Sequence, residues 1–104
     1  MSADLVINPS IDWDAIRADF PILNQEVHGK PLAYLDSAAS SHMPQSVIDM
    51  IVDYQTHHHS NIHRGVHALS QRATDLFESA RRKVQRFINA REDAEIIFTR
   101  GATE

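Results

Sequence analysis

Apolar positions along the chain recur mostly at helical spacing, with two short runs that alternate or cluster as strands do. Trp13, Ile16 and Phe20 fall three and four apart after Asp12, a side chain suited to capping a helix start. Pro21 ends that first helix, because the residue before a proline is pushed out of the α region. His28-Gly29-Lys30-Pro31 is a turn signal, and Leu32 to Leu35 are expected as a short strand after it. Pro44 suits the first turn of a second helix, whose stripe is Val47, Ile48, Ile51, Val52 and Tyr54 and which fades near His57 to His59. A third and longest helix is predicted from near Ser70. Leu69, Ala73, Leu76, Phe77, Ala80, Val84, Phe87 and Ile88 hold one face, and Asn89 can end it. Arg72, Asp75, Glu78, Arg81, Arg82 and Gln85 form its opposite, solvated face, with Glu78 and Arg82 spaced to pair at i,i+4. Ile96 to Thr99 is expected as a strand.

That last run changes the picture. Three amphipathic helices can pack together, but a strand as apolar as Ile96-Ile97-Phe98 suits burial on both faces in an α/β sheet. Its only obvious partner here is the weak Leu32–Leu35 segment, so its neighbours are expected beyond residue 104. The strand hands over to Gly101-Ala102-Thr103-Glu104, which looks like a helix start, and the chain is expected to be cut in mid-unit.

Composition narrows the function. The chain has 104 residues, one domain's length, with 42% hydrophobic and 23% charged residues, ordinary for a folded protein. A net charge of −4, with eight Arg and two Lys, gives no electrostatic footprint for nucleic acid or an anionic membrane. No apolar run reaches spanning length, and MSADLVINPS lacks the basic and apolar regions of a secretion signal. With no cysteine, disulfides, thiolate metal sites and thiol nucleophiles are excluded from this chain, and a cytoplasmic location is compatible with that.

Three stretches carry candidate chemistry. At Gly101–Glu104, glycine admits close backbone approach, and the first N–H groups of a following helix favour an anion such as phosphate; a plain helix cap is the competing explanation. Thr103 can both cap and offer a hydroxyl. The segment HHHSNIHRGVH holds five of the seven histidines. His59, His63 and His67 stand four apart, but the stretch has no H-E-x-x-H glutamate, and Asn61 and Gly65 argue for a loop, so no metal site is assigned. Within it, His63 can move protons and Arg64 can hold a carboxylate or phosphate. In YLDSAAS, Ala38 and Ala39 leave room for a ligand or for another backbone.

Together, FPILNQEVHGKPLAYLDSAAS, NIHRGVHALSQRAT and FINAREDAEIIFTRGATE closely resemble, in order and spacing, the N-terminal part of the Suf-type (group II) cysteine desulfurases and selenocysteine lyases. These belong to the class V branch of pyridoxal-phosphate enzymes. The likeness runs from about Ile16 to Glu104. It implies an α/β, aspartate-aminotransferase-like protein of fold type I, of which residues 1–104 are an incomplete piece, mostly helical with short strands. That piece would contribute to the small domain and then enter the large cofactor domain. The resemblance implies that Thr103 contacts the phosphate of pyridoxal 5'-phosphate, and that Ala102 stands where relatives carry a further threonine. It also implies that Ala38, Ala39, His63 and Arg64 lie by the substrate pocket, while His58 and His59 depart from the usual Gly and aromatic residue. The implied substrate is L-cysteine, converted to L-alanine with an enzyme persulfide for iron–sulfur cluster assembly, in a homodimer that passes sulfur to an acceptor protein.

No catalytic residue of that chemistry is assigned within the chain. Lys30 and Lys83 do not resemble the Schiff-base lysine's S-x-H-K context, and a persulfide needs a thiol that is absent. The chain by itself is therefore expected to be inactive. Selenocysteine lyase, another class V enzyme, a non-enzymatic helical interaction module and a histidine metal binder stand as alternatives.

Overall fold

The computed structural model describes residues 10–104; the opening MSADLVINPS, read above as no secretion signal, lies outside the described residues apart from Ser10. The chain falls into two compact units, one up to Val52 and one from Asp53 to Glu104, and the division lies within a helix. No described helix is long and apolar enough to cross a membrane.

In the first unit, α1 spans Trp13–Ala18. Asp12 caps it as expected, its carboxylate accepting the Ala15 N–H at 3.0 Å. A single 3-10 turn, Pro21–Leu23, follows the proline. Two short strands, β1 (Glu26–Val27) and β2 (Lys30–Pro31), then pair antiparallel, Glu26 opposite Pro31 and Val27 opposite Lys30. The turn between them places both His28 (φ 54°) and Gly29 (φ 74°) in the left-handed region, which a two-residue hairpin requires. This displaces the strand expected at Leu32–Leu35. The hairpin turn fixes the ladder at residues 26–31, and the Leu32 N–H still bonds to the Gln25 carbonyl at 3.0 Å. Beyond that the opposing chain has become the 3-10 turn, so residues 33–35 have no strand to pair with. Arg17 ties α1 to the hairpin through a 2.8 Å bond to the Leu32 carbonyl.

The helix α2 runs Gln45–His57. Pro44 sits just before it rather than within it, its carbonyl accepting from Ile48 at 3.2 Å, while the Gln45 N–H donates to the Asp19 carbonyl at 2.7 Å. One orphan donor of the helix start is thus satisfied from the end of α1.

In the second unit, α3 runs Ala68–Phe87 and starts two residues before the predicted Ser70. The reason is a cap the pattern does not show: Nδ1 of His67 accepts the Ser70 N–H at 3.2 Å. At the other end Asn89 does stop the helix, at φ 58°. The Ala90 N–H reaches back to the Gln85 carbonyl (3.0 Å) and Asn89 to that of Arg86 (3.2 Å), the paired bonds of a Schellman ending. A 3-10 turn at Asp93–Glu95 then leads into Ile96–Thr99, which is not a strand: Ile96 is extended (φ −94°, ψ 116°), but the segment belongs to no ladder. Extended apolar backbone without a hydrogen-bonding neighbour remains a coil by definition.

Burial is sparse. Ala73 and Ile96 are the buried apolar side chains among the described residues, and Ser70 is the buried polar one. Much of the predicted core stripe of α3 is open, from Leu69 at 42% exposure to Phe87 at 90%.

Candidate functional site

The small-residue loop of the first unit is a turn closed on itself. Ala39 and Ser40 N–H groups donate to the Asp36 carbonyl (3.0 and 3.2 Å), and the Tyr34 hydroxyl donates to the Ser40 carbonyl at 2.6 Å. The Tyr34 and His42 rings lie against each other with centroids 3.9 Å apart. Beside this turn is a cavity of about 430 Å³, lined by Arg17, Phe20, Leu23, Tyr34, Ser37, Ser41 and His42. Ala38 and Ala39 are exposed on the turn between Ser37 and Ser41 and do not themselves line that cavity. What lack of bulk does here is local: the chain reverses tightly enough for Tyr34 to bond across it.

In the second unit the His63-Arg64-Gly65 loop is held against α3 at several points. The His63 backbone is left-handed (φ 63°), uncommon for a residue with a side chain. Its N–H donates to Oγ1 of Thr74 at 2.9 Å, and its Nε2 lies 2.7 Å from Oε1 of Glu78. The imidazole also meets the Phe77 ring edge-on at 5.5 Å, and Phe77 in turn meets Phe98 at 5.3 Å. The Arg81 guanidinium sits 5.4 Å from the centre of that same ring, with its Nε 3.4 Å from Glu78. Glu78 is therefore shared by His63 and Arg81, in place of the expected pairing with Arg82. Both Glu78 and Arg81 are more than two-thirds covered rather than part of a solvated face.

Gly65 is required by its neighbour. A Cβ there would fall 2.5 Å from both Cβ and Oγ of Ser70. The Ser70 hydroxyl accepts the Gly65 N–H (3.0 Å) and donates to the Asn61 carbonyl (2.7 Å), fastening both sides of the loop to the start of α3. Arg64 is exposed, and among the described residues no hydrogen bond or ion pair takes its guanidinium.

The histidines do not converge. Asp53 accepts from His57 Nδ1 (3.1 Å) and His58 Nε2 (3.2 Å), His59 packs edge-on against Tyr54, His63 turns to Glu78, and His67 caps α3. Among the described residues no three His, Asp or Glu side chains gather as metal ligands.

At the C-terminal end, the Glu104 carboxylate accepts from the Arg100 backbone N–H at 3.0 Å and from its guanidinium. The Glu104 N–H closes the turn on the Gly101 carbonyl at 3.2 Å. These bonds, the backbone one foremost, hold the Glu104 carboxyl below its ordinary value of 4.5. Inside the turn, Ala102 and Thr103 are exposed, and no hydrogen bond among the described residues takes their N–H groups. Open space surrounds the position of a Gly101 Cβ.

Glu78, Thr74 and Ser70 were not singled out from the sequence as loop supports. A signal did exist: Thr74, Glu78 and Arg81 stand at i, i+4 and i+7, a polar stripe bordering the apolar one.

Phe98, Gly101 and both loops lie within a larger match: the Aminotransferase class-V family covers residues 33–104, and the chain belongs to that family. The relatives it matches include a "Probable cysteine desulfurase" of Synechocystis sp. (strain ATCC 27184 / PCC 6803 / Kazusa), 54% identical over 89 residues, 86% of this chain and 21% of the relative. Another is a "Probable cysteine desulfurase" of Vibrio cholerae serotype O1, 54% identical over 94 residues, 90% of this chain and 23% of the relative. A "Cysteine desulfurase" of Escherichia coli O7:K1 is 52% identical over 91 residues, 88% of this chain and 22% of the relative. The chain thus spans about a fifth of the length of these curated relatives.

Proposed function

We propose that this chain forms the N-terminal part of a Suf-type cysteine desulfurase, an α/β protein of fold type I that takes sulfur from L-cysteine for iron–sulfur cluster assembly. The observation that carries this is the identity shared with desulfurases across nearly the whole chain. Residues 1–104 serve as part of the small domain and the entry to the large one. The whole protein acts as a cytoplasmic homodimer with a sulfur-acceptor partner.

Pyridoxal phosphate, when bound, supplies the electron sink on which such chemistry depends. The turn at residues 101–104 fits its phosphate: the unpaired N–H groups of Ala102 and Thr103 and the Thr103 hydroxyl are donors, and Gly101 leaves the approach open. Arg100 pairs with the Glu104 side-chain carboxylate in that turn. His63 and Arg64 serve the substrate, Arg64 through a guanidinium with no protein partner among the described residues, suited to a carboxylate. Ala38 and Ala39 serve as small residues beside the substrate pocket of the whole enzyme and do not line the cavity described above. The chain contains no thiol to carry sulfur, and on this reading it releases no alanine alone.

The test is a graft. Residues 16–104 replace the matching segment of the Escherichia coli relative, with the cofactor's visible absorbance reporting correct assembly. Alanine formation from L-cysteine is the expected result. A graft that binds cofactor yet forms no alanine would overturn the proposal.

A further inference from the structure

The contacts of His63 determine which of its ring nitrogens is free. Nε2 is 2.7 Å from a Glu78 oxygen, and a carboxylate in that position accepts, so the neutral ring carries its proton on Nε2. Nδ1 is then the unprotonated nitrogen, and no hydrogen bond among the described residues takes it. The ring cannot swing freely to exchange the two. The His63 N–H is tied to Thr74, Phe77 meets the imidazole edge-on, and the left-handed backbone fixes the direction in which the side chain leaves the chain. Glu78 is itself restrained by Arg81.

The geometry points to Glu78 as a positioning residue that sets the His63 tautomer, so that the loop presents Nδ1 as a hydrogen-bond acceptor, with the exposed guanidinium of Arg64 on the next residue. An acceptor and a cation on consecutive residues of one loop suit a ligand that carries both a donor group and a carboxylate, as an amino acid does. This deepens the desulfurase proposal and rests on it for the identity of the ligand, but the tautomer assignment stands on this chain alone. A carboxylate that orients a histidine through one nitrogen to make the other available is a general device.

Long-range proton–nitrogen correlation spectra of the 104-residue chain, with its histidine nitrogens labelled, test it directly. The expected result, for the neutral form of the ring, is a proton on Nε2 and none on Nδ1, with an Hε2 proton slow enough in solvent exchange to be seen. In Glu78→Ala that proton signal is lost, whereas Glu78→Gln, which still offers an acceptor oxygen, keeps it. A wild-type ring protonated at Nδ1, or an Hε2 signal unchanged in Glu78→Ala, would overturn the assignment. The wild-type spectrum decides the matter even if a variant unfolds. No cofactor or substrate is present in the experiment, so its failure leaves the desulfurase proposal standing, and an inactive graft leaves the tautomer standing.

Discussion

The Nε2 atom of His63 lies 2.7 Å from Oε1 of Glu78, fifteen residues later in the chain and two turns and more into α3. The same loop residue donates its N–H to Thr74. The two supports differ in strength. The imidazole–carboxylate pair is about half exposed on the histidine side, and solvent screening keeps such pairs below about 1 kcal/mol. The backbone hydrogen bond to Thr74, which Thr74→Val removes, is worth about 0.5–1.5 kcal/mol net. Thermal melts followed by the helical circular dichroism signal should therefore rank Thr74→Val as more damaging than Glu78→Ala.

The loop's other anchor is steric as well as polar. Gly65→Ala drives a methyl group to 2.5 Å from the Ser70 side chain, which is 1% exposed and cannot move aside into solvent. Crowding of this kind costs roughly 1–3 kcal/mol. Ser70→Ala leaves the Gly65 N–H and the Asn61 carbonyl without their partner, and about 1–3 kcal/mol is expected there too. Denaturant titrations of the two variants check both values; either variant matching the parent would mean that Ser70 does not fasten the loop to α3.

Asn89 supplies the left-handed residue at the end of α3. Glycine adopts that conformation without a Cβ penalty, whereas alanine has neither glycine's freedom nor the local hydrogen bonding of asparagine. Asn89→Gly should match or exceed the parent in stability, read from thermal melts, and Asn89→Ala should fall below it by about 1 kcal/mol.

Thr103 and Ala102 give a cofactor-level expectation in the grafted protein. A hydrogen bond to a charged group is worth about 1.5–3 kcal/mol, so Thr103→Ala should weaken retention of pyridoxal phosphate roughly tenfold or more. Ala102→Thr adds a second hydroxyl next to that of Thr103 and should strengthen it. Equilibrium release of the cofactor, followed by its absorbance, measures both.

Much of this was legible in the residues because it depends on local rules. Asp12 caps, Pro21 stops, Asn89 ends, and the apolar spacing of α2 and α3 sets their extents to within a few residues. The missed features depend on partners distant in sequence. Leu32–Leu35 look like a strand until the hairpin turn at His28-Gly29 assigns the pairing to residues 26–31. Ile96–Thr99 have strand composition, but composition supplies no neighbouring ladder. Glu78 looks solvated by helical periodicity because the loop residue that meets it, His63, lies fifteen residues earlier. The candidate site follows the same division: its residue types are visible as short motifs, whereas the direction in which His63 is held becomes visible once α3 and its loop are placed together.

The turn that presents Thr103 should respond to acid in a defined direction. Glu104 accepts the Arg100 backbone N–H and pairs with its guanidinium, and these lower its carboxyl value from 4.5 in the folded chain. A carboxyl whose folded value is depressed contributes to the turn's stability above its ordinary, unfolded value. That contribution fades as pH falls through the depressed folded value. The clasp is thus intact at neutral pH and still held at 4.5, and it opens only in more acid solution. The Arg100 amide resonance, followed from neutral to acid pH in proton–nitrogen spectra, should shift with a midpoint below 4.5. In Arg100→Gln the backbone donor remains while the guanidinium is gone, so the midpoint should rise part of the way back. A parent midpoint at or above the ordinary value would mean that Glu104 does not close this turn in solution, and the frame proposed for the phosphate donors of Ala102 and Thr103 would fall with it.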